Sequence, residues 1–156
     1  KELGSHVVFL RPLGLRLILT AEASFDSAHF LAGYNGKCRN IHGHRWLIKV
    51  EAAGSKLQQA GQMRDMVIDF GDLKKEVKAI ADYFDHGLIV EKNTLREQTF
   101  AALQEEGFKL IEVDFRPTAE KLAKFIFDSL KGKQLPVKQV TVYETPANSA
   151  AYSEAV

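Results

Sequence analysis

Two long segments of the chain alternate between apolar and polar residues, and this period of two restricts the possible folds more than any other feature of the sequence. In residues 15–29 the odd-numbered positions are largely apolar, whereas the even-numbered positions are largely polar. Residues 41–53 repeat the pattern, with Trp46, Ile48 and Val50 on one parity. Side chains of a β-strand alternate between its two faces, so both segments are predicted to be long strands, each with one buried face.

Shorter strand signals lie further along the chain. Residues 63–70 are predicted to form a third strand, and residues 137–143 a fourth that begins after Pro136. Residues 150–153 are predicted to return beside that strand as a hairpin. Short connections between successive strands favour antiparallel pairing.

Two amphipathic helices are predicted between these strands. Apolar residues repeat at helical spacing after Asp69 and again after Pro117, and residues 99–106 indicate a further short helix within an irregular segment. Gly87 is expected to end the first helix in the left-handed conformation. The chain is therefore predicted to have an α+β fold in which two helices cover one face of an antiparallel four-stranded sheet.

The composition excludes several classes of protein. The 156 residues include 21 basic and 20 acidic side chains, a net charge of +1, which argues against a nucleic-acid-binding surface. No apolar run approaches the roughly 20 residues that span a bilayer, so no membrane partner is expected. The chain has one cysteine, Cys38, which excludes an internal disulfide, and we expect a cytoplasmic protein.

The chain is expected to form a single domain over residues 15–156, because its length lies within the usual range of one domain. Residues 1–14 contain a Gly-Ser-His triplet and are expected to be an N-terminal arm or a remnant of cloning. We assign no function to this arm.

Three histidines lie where the predicted strands bring them together. His42 and His44 are separated by one residue, so on a strand they leave the same face about 6.6 Å apart along the chain. His29 ends the preceding strand on its apolar parity, so a hairpin across residues 30–41 places it opposite the pair. Three imidazoles with an open fourth position are typical of a catalytic zinc site, whereas the alternative is three unconnected polar residues at strand ends.

The other candidate residues carry groups for proton transfer or ligand binding. Cys38 lies four residues before His42, between two basic residues that favour its thiolate, although a lone cysteine is often only a packing residue. Asp85 and His86 form an adjacent carboxylate–imidazole pair suited to moving a proton near neutral pH. Glu144 ends the strand V-T-V-Y-E and is either a surface charge or an acceptor for two neighbouring N–H donors.

Five sequence motifs together resemble the 6-pyruvoyl-tetrahydropterin synthase family, which includes the bacterial 6-carboxy-tetrahydropterin synthases. The motifs are F-D-S-A-H-F, C-R-N-I-H-G-H, D-H-G, R-P-T-A-E-K-L-A and V-Y-E-T-P-A-N-S-A-A-Y, and the resemblance runs from about Leu17 to Tyr152. It implies a tunnelling fold whose subunits form trimeric barrels, with two trimers stacked as a homohexamer. It also implies residue roles: zinc binding by His29, His42 and His44; proton abstraction by Cys38; proton relay by Asp85 and His86; and pterin binding by Glu144 and Thr118.

The resemblance implies a lyase that acts on 7,8-dihydroneopterin triphosphate with one zinc ion per chain. One branch of the family forms 6-carboxy-5,6,7,8-tetrahydropterin, acetaldehyde and triphosphate for queuosine biosynthesis, and the other eliminates triphosphate to give the 6-pyruvoyl product of the biopterin pathway. The E-T-P sequence at residues 144–146 favours the carboxy branch. The chain departs from the family pattern in the long segment 91–115 and in Arg116, which stands where asparagine is expected; both bear on substrate choice.

Two other functions are compatible with parts of this pattern. One is a zinc- or pterin-binding relative without activity, and the other is another enzyme of the same fold, similar to dihydroneopterin aldolase or a cyclohydrolase. The combination of Cys38 with three spaced histidines argues against both, since an inactive relative need not keep the thiol and the other enzymes lack the combined pattern.

Overall fold

The computed structural model describes residues 16–154, and the arm predicted at residues 1–14 lies outside them. The elements in chain order are β1 (Leu17–His29), β2 (His42–Gly54), α1 (Phe70–Phe84), β3 (Gly87–Glu91), α2 (Glu97–Glu105), β4 (Leu110–Val113), α3 (Ala119–Gly132), β5 (Val137–Thr145) and β6 (Asn148–Ser153). The α+β class is as predicted. The predicted count of four strands is wrong for the described residues, which form six strands, whereas the two predicted amphipathic helices are α1 and α3 and the short helix indicated at residues 99–106 is α2.

The six strands form one sheet in the order β4-β3-β1-β2-β5-β6. Its antiparallel part is β1-β2-β5-β6, which corresponds to three of the predicted strands and the hairpin return predicted at residues 150–153. The extra strands come from the segment that the sequence left irregular: β3 and β4 pair in parallel, and β3 also pairs in parallel with Ser27–His29 of β1. Parallel neighbours need a crossover connection, and α2 with its flanking loops provides it.

The third strand predicted at residues 63–70 is wrong. The stretch before α1 contains turns, with one isolated bridge between Gln58 and Arg64. Asp65 has a φ of 63°, a left-handed conformation that interrupts an extended strand. The Asp69 carboxylate accepts a hydrogen bond from the Gly71 amide at 2.6 Å, so the last residues of the stretch begin the helix.

The predicted left-handed glycine at the end of α1 is also wrong, because the neighbouring His86 takes that conformation with a φ of 55°. The His86 amide donates to the Asp26 carbonyl at 2.7 Å, and this bond holds the turn against β1. Gly87 instead begins β3, where the Ile111 side chain leaves no space for a Cβ atom. The catalytic candidate His86 therefore occupies a backbone conformation that is uncommon for a residue with a side chain.

The hydrophobic core lies between one face of the antiparallel strands and the helices α1 and α3. The parity predicted for the two long segments is confirmed, since Phe25 and Trp46 are buried on this face and their rings stack. The helices contribute buried residues at helical spacing, namely Leu73, Val77, Ala81, Phe84, Leu122, Ala123, Ile126, Phe127 and Leu130. Among the described residues, no helix is long and apolar enough to cross a membrane.

Candidate active site

The three histidines lie together at one end of the core face. In the antiparallel register of β1 and β2, His29 is paired with His42, and His44 is paired with Ser27. All three imidazoles therefore project from the same face, as predicted, with their rings 4.6–5.2 Å apart between centroids.

Backbone carbonyls fix the orientation of two of these rings. His29 Nδ1 lies 2.8 Å from the Pro117 carbonyl oxygen, and His42 Nδ1 lies 2.7 Å from the Asn40 carbonyl oxygen. A carbonyl oxygen only accepts hydrogen bonds, so both Nδ1 atoms must carry the proton. In the neutral rings each Nε2 atom is then left with a free lone pair.

Those lone pairs lie close together, and a cation between them would remove their repulsion. His29 Nε2 and His42 Nε2 are 3.1 Å apart, although neither neutral ring has a proton there to donate. Burial, only partly opposed by the Pro117 hydrogen bond, lowers the pKa of His29 to about 4, so this ring is neutral near pH 7. His44 Nε2 is buried without a hydrogen-bond partner, and burial also lowers the pKa of His44.

The three rings together fit a metal ion. One nitrogen atom from each of His29, His42 and His44 lies within 4.8 Å of the other two. Neutral imidazoles whose second nitrogen is held by a hydrogen bond are typical metal ligands. The donor set therefore supports the predicted metal site.

Trp46 packs against the histidine cluster, a role that was not predicted from the sequence. Its indole is fully buried, and its ring centroid lies 4.9 Å from that of His29 and 5.2 Å from that of His44, both edge to face. Its Nε1 donates to the Ser27 carbonyl at 3.1 Å, which fixes the ring. The signal for this role was present, since Trp46 shares the parity of His42 and His44.

Glu144 lies against the cluster. Its Oε1 atom is 3.3 Å from His29 Nε2 and 3.5 Å from His44 Nε2, and 32% of its side chain is exposed. Glu144 follows Tyr143, which pairs with Leu47, so it continues β5 at the end of the sheet that holds the histidines. The carboxylate is therefore directed at the nitrogen atoms that face the candidate metal position.

Cys38, Thr118 and Glu144 line one cavity of about 280 Å³. Cys38 belongs to a short 3-10 turn, Lys37–Arg39, in the loop that joins β1 to β2. The Thr118 hydroxyl accepts from the Lys121 amide at 3.2 Å and caps the N-terminus of α3, so this residue has a structural role besides the predicted one. The cavity is also lined by Leu31, Tyr34, Ala119, Glu120, Asn148, Ser149 and Ala150.

The predicted Asp85–His86 pair forms, but it lies in a different part of the structure from Cys38. His86 Nδ1 donates to Asp85 Oδ2 at 2.7 Å, and Asp85 Oδ1 accepts from the Asp26 amide at 2.9 Å. The hydrogen bond from Asp26, together with that from His86, lowers the pKa of Asp85. His86 lines a separate cavity of about 290 Å³ with Ala28, which projects from the face of β1 opposite to the histidine cluster. The structure therefore does not bring this pair to Cys38 within one chain.

Sequence reasoning missed the backbone groups of the site. The carbonyls of Asn40 and Pro117 orient two metal-ligand candidates, but any residue type supplies a carbonyl and no sequence signal distinguishes these two. Arg116 did give a signal, because it departs from the expected pattern. Its Nη2 atom donates to the Ala32 carbonyl at 2.6 Å, within the loop that carries Cys38.

Comparisons with known proteins give matches over most of the chain. The family described as "6-pyruvoyl tetrahydropterin synthase" matches residues 18–155, nearly the whole described chain. The chain belongs to this family. A relative from Haemophilus influenzae, named 6-carboxy-5,6,7,8-tetrahydropterin synthase, is 43% identical over 139 residues, which cover 87% of this chain and 98% of the relative.

Solved structures of other proteins also superpose on this chain. A protein from Wolinella succinogenes superposes with a TM-score of 0.75 at 19% identity, over 90% of this chain and 99% of the other. The 6-pyruvoyl tetrahydropterin synthase of Caenorhabditis elegans superposes with a TM-score of 0.63 at 25% identity, over 90% and 97% respectively. The predicted family and the predicted tunnelling fold of the subunit are confirmed.

Proposed function

We propose that this protein is a zinc-dependent lyase, a 6-carboxy-5,6,7,8-tetrahydropterin synthase that converts 7,8-dihydroneopterin triphosphate and releases acetaldehyde and triphosphate. The relative from Haemophilus influenzae that bears this name matches this chain over almost the whole of its own length. The observation that carries the proposal is the pair of opposed Nε2 lone pairs on His29 and His42, beside the cavity that Cys38 lines.

Zinc is the metal that this donor set suits best. Neutral imidazole nitrogens favour zinc and other late transition metals over magnesium or calcium, and three histidines with an open position are typical of catalytic zinc. His29, His42 and His44 would hold the ion. Bound zinc would polarise a substrate oxygen and stabilise negative charge that develops on it.

The residues of the 280 Å³ cavity divide binding from proton transfer. Glu144 accepts two N–H bonds from the amino-pyrimidine edge of the pterin, because a carboxylate offers two acceptors side by side. Thr118 supports the ring from the start of α3. Cys38 removes a proton from the substrate side chain, since its thiol borders the cavity from the loop that joins β1 to β2.

Asp85 and His86 act as the proton relay of a homo-oligomer, and we infer that they serve the Cys38 of a neighbouring subunit. His86 lines a different cavity from Cys38, so one chain alone does not bring the pair to the thiol. Ile41 and Phe108 border the His86 cavity and are 60% and 62% exposed, which suits a surface that another subunit covers.

The sheet also offers edges for such an assembly. Within the described residues, β3 covers only the last three residues of β1, and β6 ends the other side of the sheet. Long exposed edges are normally paired or covered, and a closed ring of subunits removes them. We propose a homohexamer built from two trimers, in the cytoplasm, with the pterin triphosphate as its small-molecule partner.

The second candidate is a 6-pyruvoyl tetrahydropterin synthase, which is the name of the similar protein from Caenorhabditis elegans. Purified protein incubated with 7,8-dihydroneopterin triphosphate separates the two, because the carboxy reaction yields acetaldehyde and the pyruvoyl reaction does not. We expect acetaldehyde and the 6-carboxy product by mass spectrometry. The pyruvoyl product would overturn the branch, and pterin binding without turnover would identify an inactive relative.

Co-expression of two inactive variants tests the division of residues between subunits. If the site combines Cys38 of one chain with His86 of another, random assembly of Cys38→Ala with His86→Ala restores about a quarter of the sites. Cys38→Ala with His42→Ala is the matched control and should restore none, because both residues belong to one chain's site. Equal inactivity of both mixtures would contradict the shared site.

A further inference from the structure

We propose that Arg116 is a positioning residue that holds the Cys38 loop, residues 30–41, in place over the histidine cluster; this inference rests on the role proposed for Cys38. Arg116 lies between β4 and α3. Its guanidinium group is partly buried and donates to the Ala32 carbonyl at 2.6 Å. The partners are 84 residues apart in sequence, so the bond joins two separate segments.

The loop passes this constraint directly to the cysteine. The Leu31 amide donates to the Cys38 carbonyl at 2.9 Å, which closes the loop across its base. Ala32, the residue held by Arg116, is covalently next to Leu31. The Arg116 bond therefore holds Ala32, and the adjacent Leu31 in turn holds the backbone of Cys38.

The residues after Arg116 hold the other parts of the site. The Pro117 carbonyl accepts from His29 Nδ1, and the Thr118 hydroxyl caps α3. The Thr118 amide donates back to the Arg116 carbonyl at 2.8 Å, which makes the three residues one tight turn. The turn thus joins a metal-ligand candidate, the cysteine loop and a cavity wall. Arginine suits this place because its long, planar group donates to a distant carbonyl from a partly buried position.

The test uses the fact that Cys38 is the chain's one cysteine. Arg116→Met keeps an apolar stem and removes the donor. We expect the rate of Cys38 alkylation by iodoacetamide, followed by whole-protein mass, to rise about fivefold to tenfold as the loop loses one hydrogen bond. We also expect kcat to fall tenfold or more with little change in KM, because misplaced reacting groups lower the rate of the chemical step. Zinc content should stay at the wild-type level.

Arg116→Lys is the conservative variant. Its ammonium donor should bring the alkylation rate down, and kcat up, most of the way to their wild-type values. Arg64→Met is the matched control, since Arg64 is an exposed arginine that pairs with Asp65 outside the site. It should behave as the wild type. If Arg116→Met does not fold, Arg116→Gln, whose shorter side chain ends the bond but keeps a polar group, should show the same rise in alkylation.

Two results would overturn the proposal. An alkylation rate unchanged by every Arg116 substitution, or raised equally by Arg64→Met, would show that Arg116 does not hold the loop. A raised KM with unchanged kcat and alkylation would instead place Arg116 on the substrate's phosphates. Failure of the proposed enzyme function is distinguishable, since a protein without turnover would still report loop position through alkylation.

Discussion

His29 and His86 are both oriented through Nδ1, but by opposite kinds of partner, and the difference separates their chemistry. His29 is 1% exposed and donates to the neutral carbonyl of Pro117, whereas His86 is 78% exposed and donates to the Asp85 carboxylate. A carbonyl in an apolar setting leaves a neutral ring with a free Nε2 lone pair. His86 instead shares its Nδ1 hydrogen bond with an ionisable carboxylate and is open to solvent, which is the arrangement of a carboxylate–imidazole pair.

The two regions also differ in what the single chain completes. The histidine cluster is assembled by one β-hairpin and the start of α3, with Trp46 beneath it. The Asp85–His86 turn forms its own hydrogen bonds, but its His86 lines a different cavity from the one that Cys38 lines. A metal site is expected to persist in one folded chain, whereas proton transfer is expected to depend on how chains assemble.

The largest expected effect is the loss of zinc, which should follow changes in the histidine cluster and not changes in the Asp85–His86 turn. The double substitution of alanine at His42 and His44 should abolish zinc binding, because one imidazole alone does not hold the ion. Metal analysis of the purified protein measures this. His86→Ala is the control and should retain near-equimolar zinc. Full zinc occupancy in the double variant would remove the metal assignment.

Cys38→Ala should retain the fold and the zinc but lose about 10²–10⁴-fold in turnover, which is the usual loss for a missing general base. His86→Ala should show a loss of the same order if the turn belongs to the same reaction. Steady-state kinetics with 7,8-dihydroneopterin triphosphate, alongside metal analysis, make the comparison. Near wild-type turnover in Cys38→Ala would show that the thiol is a bystander.

Acid should destabilise the metal-free protein through the buried His29. Its pKa is about 4 in the folded chain, against an ordinary value of 6.5, so between these pH values the unfolded chain binds more protons. Stability therefore falls as pH drops from about 6.5 to about 4, by about 3 kcal/mol. Urea unfolding of chelator-treated protein across this range measures the loss. In His29→Gln the free energy of unfolding should depend less on pH over this range. An equally steep dependence in that variant would show that other groups cause it.

Glu144→Gln should weaken binding of a pterin analogue about tenfold to a hundredfold, because a donor then faces a ring donor at a cost of about 1–3 kcal/mol. Zinc content should hardly change, which separates ligand binding from metal binding within the same cluster. Calorimetric titration measures the affinity. Glu154→Gln is the matched control, as Glu154 pairs with Lys131 outside this cavity. Unaltered affinity for the pterin analogue would show that Glu144 contacts the histidine cluster but does not bind the pterin.

The sequence by itself determined the two long strands, their buried parity and the convergence of the three histidines. Side-chain alternation is a local property of a strand, so spacing alone placed His42 and His44 on one face and put His29 on the apolar face of its own strand. The helices α1 and α3 followed from apolar spacing, and the capping residues Asp69 and Thr118 stand directly before them.

Only the tertiary structure decided the rest. The strands β3 and β4 were not predicted because a short apolar run becomes a strand when neighbours pair with it, and those neighbours are distant in sequence. The left-handed conformation fell to His86 rather than Gly87 because a hydrogen bond to the Asp26 carbonyl outweighs the residue's own preference. The carbonyl contacts of His29 and His42, and the separation of the Asp85–His86 pair from Cys38, depend on long-range packing, for which one residue's type or spacing gives no signal.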